Sequence, residues 1–236
     1  MRTSETALVV IDLQKESGFG LFGLDEVVRN TQRMIASCRE VGIPVIYTRQ
    51  INRHDGVGLS LDEPRHASGE PQFYADNSES IEILEAVMPR DTDIVIDKYR
   101  WSAFFDTSLD LMLKSLGIKR LIIGGVVTDG CLMTSVFDAY FRDYRLHLVH
   151  DMCTASNEGA HMAAMTIMAN WVYALEVLDT DNMIQCLEGR EYAAWQADQV
   201  DALPFTPETL SETFNTLTAL PENREQALRA RVKDNA

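Results

Sequence analysis

The sequence predicts a three-layer, Rossmann-like α/β fold: a central parallel sheet of about six strands flanked by helices, followed by a helical C-terminal extension. Three observations predict it. Short β-branched runs alternate with longer helical patterns for most of the chain. The runs are continuously apolar rather than alternating, as strands buried on both faces must be. Gly or Pro closes several helical segments where the next strand begins, as at Gly42 before Pro44 and at Gly117.

In chain order, residues 7–11 form the first apolar run, Ala-Leu-Val-Val-Ile. The runs at 44–48, 94–96, 121–123 and 146–149 repeat it, and 174–178 supplies a sixth, interrupted by Glu176. Helical patterning occupies about 25–41, 78–88, 107–117, 131–143 and 158–169. Strand–helix–strand at this spacing gives right-handed βαβ units and an open parallel sheet. Residues 49–80 break the rhythm with three Gly, two Pro, three Arg and two His. A loop of that length reads either as a functional lid or oligomer contact, or as a surface excursion. The α/β domain is expected over 1–188. Residues 189–236 are expected to form a helical extension, with pieces near 207–219 and 221–233, packing on the body or on a neighbouring subunit. Thr206-Pro207-Glu208 has the pattern of an N-cap with Pro at the first helical position.

The 236 residues carry 21 basic and 36 acidic side chains, a net charge of −15. That balance argues against nucleic acid or an anionic membrane surface as the main partner and leaves a small molecule. No stretch approaches the roughly 20 apolar residues of a membrane span. The N-terminal sequence lacks the basic and apolar regions of a secretory signal. Four cysteines (Cys38, Cys131, Cys153 and Cys186) are scattered without a CxxC pair or zinc spacing, which predicts a reduced, cytoplasmic chain.

Parallel open sheets bind ligands beyond the carboxyl ends of their strands, where the strand order reverses. Asp12 follows the first apolar run directly. Lys98 follows the third, with Tyr99-Arg100-Trp101 behind it. Gly124-Gly125-Val126-Val127-Thr128-Asp129-Gly130-Cys131 follows the fourth and leads into a helix. Alone, Asp12 reads equally as a turn residue and Lys98 as a surface lysine. Cys131, near a helix start, is expected to have a lowered pKa and accessible thiolate; the other cysteines lie in apolar surroundings and read as core. Together the trio suits a nucleophile, a base and a stabilising cation, with N–H groups of the Gly-Gly-Val-Val-Thr turn facing an oxyanion.

These residues, with Leu8–Gln14, Ser102-Ala103-Phe104, Thr107, Leu109, Asp151 and His161, resemble the isochorismatase-like cysteine hydrolases over about residues 5–185. The resemblance implies an Asp12–Lys98–Cys131 triad and a cis peptide between Val126 and Val127. It also implies an oxyanion hole from the N–H groups of Val127 and Cys131, and a homo-oligomer, dimer or tetramer. The isochorismatases themselves lack a cysteine at this position, so Cys131 favours cleavage of a small amide, ureido or N-carbamoyl C–N bond through a thioester. Vinyl-ether hydrolysis and a non-catalytic assembly role are the alternatives. The Asp-x-His metal motif of nicotinamidases is missing from residues 48–54, so no metal and no cofactor are expected; His54 and His66 are the alternative ligands. Phe19, Trp101, Phe104, Val126, His161 and Trp171 are candidate pocket residues. Arg49 or Arg53 could pair a substrate carboxylate. Thr128 and Asp129 are expected to cap the helix at Cys131.

Overall fold

The structure, a computed structural model, describes residues 2–16 and 18–219. It contains one six-stranded parallel sheet: β1 (Thr6–Ile11), β2 (Val45–Gln50), β3 (Ile94–Lys98), β4 (Arg120–Val126), β5 (Arg145–Thr154) and β6 (Glu176–Leu178). The spatial order is β3-β2-β1-β4-β5-β6. The chain winds outward from β1 to β3, then returns to β4 on the other side of β1. The order therefore reverses between β1 and β4, and the crevice opens beyond their carboxyl ends.

Alternation along β1 shows why its run is apolar throughout. Ala7, Val9 and Ile11 face one core with Leu109 and Leu113 of α2 (Leu109–Ser115), Val136 and Ala139 of α3 (Met133–Tyr140), and Met165 and Met168 of α4 (Glu158–Trp171). Leu8 and Val10 face a second core with Val27, Met34 and Ile35 of α1 (Leu24–Glu40) and Met183 of α5 (Thr180–Leu187). Helices thus cover both faces, and each apolar side chain of the strand leaves water. The two glycines of β4 are steric requirements. A Cβ on Gly125 would lie 2.1 Å from the Ile11 carbonyl oxygen, and one on Gly124 would lie 2.7 Å from Cβ of Met152. They let β4 lie close against its neighbours on both sides at the level of the crevice.

Several expectations shift. Residues 78–88 hold only two single 3₁₀ turns, Glu79–Ile81 and Glu85–Val87. Their backbone pairs instead with the chain leaving β1: Lys15 N–H donates to Glu82 O (2.8 Å) and Leu84 N–H to Leu13 O (2.9 Å). Tertiary pairing there overrides a helical pattern. Helix α5 was not anticipated, although Asp179 caps it by accepting from Asn182 N–H at 2.7 Å. In the extension, α6 (Leu210–Thr218) begins after Thr209, and Thr206 bonds Glu208 instead of capping it. The extension packs on the body: Asn170 and Leu203 exchange two hydrogen bonds, of 3.0 and 2.8 Å, and Phe214 meets the His161 ring. The piece expected at 221–233 lies outside the described residues.

Candidate active site

The crevice at the β1/β4 switch point gathers the three groups expected there. Asp12 leaves β1 with φ 49°, a conformation Asp tolerates better than most residues, and is 2% exposed. Thr48 on β2 fixes it: the hydroxyl donates to Asp12 Oδ1 at 2.6 Å and accepts from Asp12 N–H at 3.2 Å. Lys98 is fully buried at the end of β3, two strand spacings of about 4.8 Å from β1. Its side chain reaches over β2, donating to Gln50 Oε1 (2.9 Å) and Arg100 O (3.2 Å). The ammonium also lies 2.6 Å from Asp12 Oδ2, which closes the ion pair. Gln50 is held in turn by Gln14, whose amide spans Gln50 N, Gln50 O and Ile81 O.

Cys131 completes the cluster. It sits in a π-helical turn, Thr128–Leu132, between β4 and α3, after a cis Val126–Val127 peptide. The Val127 carbonyl accepts from both Gly130 and Leu132 N–H (3.1 and 3.2 Å), which tightens the turn. The Cys131 carbonyl accepts from the Ser135 hydroxyl at 2.6 Å, and Ser135 accepts from Ala103 N–H at 2.9 Å. Ser102 bonds Asp138 of α3. Ser102 and Ala103 thus brace the loop after Lys98 against the helix that follows Cys131.

The electrostatics correct one expectation. Burial pushes the Cys131 thiol up to about 12; the Lys98 ammonium opposes this and Asp12 adds to it. The resting group is a thiol, not the thiolate expected at a helix start, because desolvation outweighs the nearby cation. Burial works to lower the Lys98 pKa, but the Asp12 carboxylate, with Cys131 beside it, prevails and holds it above its usual value. A protonated thiol beside a carboxylate is arranged for proton transfer during attack.

Cys131 lies in the wall of a cavity of about 220 Å³, lined also by Phe19, Gln50, Glu63, Phe73, Tyr74, Trp101, Val127, Asp129 and Gly130. Phe19 and Trp101 are where the sequence suggested, and Phe19 stacks on Phe73 with centroids 4.8 Å apart. The other pocket candidates are elsewhere. Phe104 is core, against Tyr144, and Val126 is buried in β4. Trp171 is half exposed at the end of α4. Buried His161 shares a 2.8 Å hydrogen bond with Thr128, and burial lowers its pKa to about 4. It supports the Cys131 turn as a neutral ring, and Thr128 does not cap a helix. Arg49 forks onto Asp97 at 2.7 and 2.9 Å, and Arg53 pairs with Asp55. Neither reaches the cavity, because acidic neighbours two positions along or across the ladder capture them first. His54 pairs with Asp76 at 2.8 Å, and the backbone of His66 turns onto Glu70.

Sequence reasoning missed Thr48, Gln50, Glu63, Phe73, Tyr74, Asp129 and Gly130. Thr48 and Gln50 had a usable signal: two polar residues at alternate positions ending a buried strand. Glu63, Phe73 and Tyr74 come from the 49–80 loop, which forms a wall of the cavity. The loop is organised by Asn52, 2% exposed, whose amide donates to Glu63 Oε1 (3.2 Å) and Phe73 O (3.1 Å).

Fold and site together define the class: an α/β protein of the isochorismatase-like cysteine hydrolase type. Residues 6–181 match the isochorismatase domain, and the chain belongs to that family. Ureidoacrylate amidohydrolase RutB of Acinetobacter baylyi is 29% identical over 185 residues, 68% of this chain and 76% of that protein. The structure of N-carbamoylsarcosine amidase from Thermoplasma acidophilum is 25% identical with a TM-score of 0.59, covering 75% of this chain and 97% of the other. A cysteine hydrolase from Pseudomonas syringae pv. phaseolicola shares the fold at TM-score 0.71 and 24% identity, over 80% and 95% of the two chains. Among the described residues, no helix is long and apolar enough to cross a membrane.

Proposed function

We propose that this chain is a cysteine-dependent amidohydrolase that cleaves a small amide, ureido or N-carbamoyl C–N bond. The observation that carries the reading is the buried Asp12–Lys98 ion pair at 2.6 Å, packed against a thiol in the cavity wall. Relatives named as an amidohydrolase and an amidase support the bond type.

Asp12 takes the thiol proton as sulfur attacks the carbonyl carbon. The N–H groups of Val127 and Cys131 hold the oxyanion. Collapse expels the nitrogen, which receives the proton from Asp12, and a thioester remains on Cys131. Water then attacks the thioester with Asp12 again as base, the acid product leaves, and the proton returns to sulfur. Lys98 pairs with the Asp12 carboxylate between steps and offsets charge on the sulfur. Base, cation and nucleophile are all side chains, so prolonged chelation should leave turnover unchanged.

The test is ammonia or amine release from a panel of small amides, ureas and carbamoyl compounds by wild type and Cys131→Ala, with acid-quenched wild type searched by mass spectrometry. Turnover that vanishes in the variant, with an acylated Cys131 peptide in wild type, is the expected result. Full activity in Cys131→Ala would refute the thioester route and favour the vinyl-ether alternative.

A further inference from the structure

The charge on the cavity wall has a direction. Among the described residues, its lining contains two carboxylates, Glu63 and Asp129, and no Lys, Arg or His. The nearest buried cation, Lys98, is already matched by Asp12. The arginines that could have turned a carboxylate-binding face to the cavity are held by Asp97 and Asp55. Arg100, beside Trp101, directs Nη1 at the carbonyls of Gly58 and Tyr99. Glu63 is fixed in place: Oε1 accepts from buried Asn52 and Oε2 from Ser60 N–H at 3.3 Å. Around the carboxylates stand the rings of Phe19, Phe73, Tyr74 and Trp101. Aromatic faces and carboxylates attract cations, and the same wall repels an anion.

We propose that this site selects a substrate with a cationic group remote from the scissile bond: an amide, ureido or N-carbamoyl derivative of a diamine or a guanidino amine, not of an amino acid. Glu63 and Asp129 are the specificity-determining residues and the aromatic rings form the sides of the cation site. The substrate class rests on the amidohydrolase reading, but the charge preference does not, since it is a property of the cavity. The net charge of −15 adds long-range attraction for such a substrate.

The experiment has two arms. In the first, kcat/KM is compared for N-carbamoyl derivatives of an alkyldiamine, an alkylamine and an ω-amino acid of equal chain length. The diamine derivative should be preferred over the amino-acid derivative by at least roughly tenfold at low salt, the ratio falling as ionic strength rises. Glu63→Gln should narrow that ratio, chiefly through KM. In the second, calorimetry reads binding of an alkyl diammonium and a dicarboxylate of equal length to Cys131→Ala, which requires no turnover. Binding of the diammonium alone is expected. Preference for the carboxylate ligand, no binding of the diammonium, or a ratio untouched by Glu63→Gln overturns the assignment. Selective diammonium binding with no hydrolysis of any amide would instead overturn the amidohydrolase reading and leave the cation site standing.

Discussion

Two ion pairs made from adjacent positions of β3, Asp97 and Lys98, behave as opposites. Arg49 and Asp97 face each other across β2 and β3, and so do the next residues, Gln50 and Lys98. The pleat sends the first pair outward, where its side chains are 29% and 40% exposed. It sends Lys98 inward to Asp12, where the ion pair is 0% and 1% exposed. The outer pair is a bidentate fork with every geometric advantage, yet water on both partners leaves it little net stabilisation. The inner pair has no water and cannot lose one partner without stranding the other's charge. One residue of register therefore separates surface decoration from a group that can move a proton.

The largest effect tests whether the inner pair acts with Cys131 as a unit. Asp12→Asn should cost roughly 10²–10⁴-fold in turnover, and Cys131→Ala at least as much. The double variant should be no slower than the worse single one, because both remove the same proton-transfer step. Losses that multiply would show independent action and separate the pair from the thiol.

Stability comes next. Lys98→Met should destabilise the fold by about 3–5 kcal/mol in urea unfolding, because it leaves the Asp12 carboxylate buried without its cation. Adding Asp12→Asn should recover part of that loss. If Lys98→Met proved as mild as an exposed ion-pair deletion, the contrast between the two pairs would fail.

A third measurement separates the charge of Asp12 from its role as base. The resting thiol is pushed up to about 12, chiefly by burial and further by Asp12, so it is protonated throughout the neutral range. Iodoacetamide should modify Cys131 slowly at pH 7, with a rate still rising above pH 9 and no plateau near the ordinary thiol value of about 8.5. In Asp12→Asn the carboxylate that raises the thiol is gone while Lys98 remains to lower it. The inflection should move down, and neutral-pH alkylation should speed up even as turnover is lost. Alkylation that slows would mean the carboxylate promotes thiolate in the resting enzyme.

Smallest is the outer pair. Arg49→Ala should change stability by about 0.2–1 kcal/mol and become silent in high salt. A larger loss of activity would show that Arg49 reaches the substrate after all.

The cluster of Asp12, Lys98 and Cys131 was legible because each follows an apolar run ending at the sheet's carboxyl edge, and chain order alone puts all three there. The unbroken apolar run of β1 likewise announced burial on both faces. Other features depended on partners distant in sequence. Residues 78–88 carry a helical pattern but spend their backbone hydrogen bonds on Leu13 and Lys15. Arg49, Arg53 and His161 have the chemistry of pocket residues, yet Asp97, Asp55 and Thr128 claim them. The thiol's protonation state turned on desolvation, which a helix-start position in the sequence does not reveal. By itself the sequence determined the layered fold and the convergence of Asp12, Lys98 and Cys131 on one crevice, since both follow from periodicity and order along the chain. The tertiary structure alone decided the walls of the cavity and their charge, because these depend on which loop carboxylates reach which cations, and burial sets the strength of every such contact.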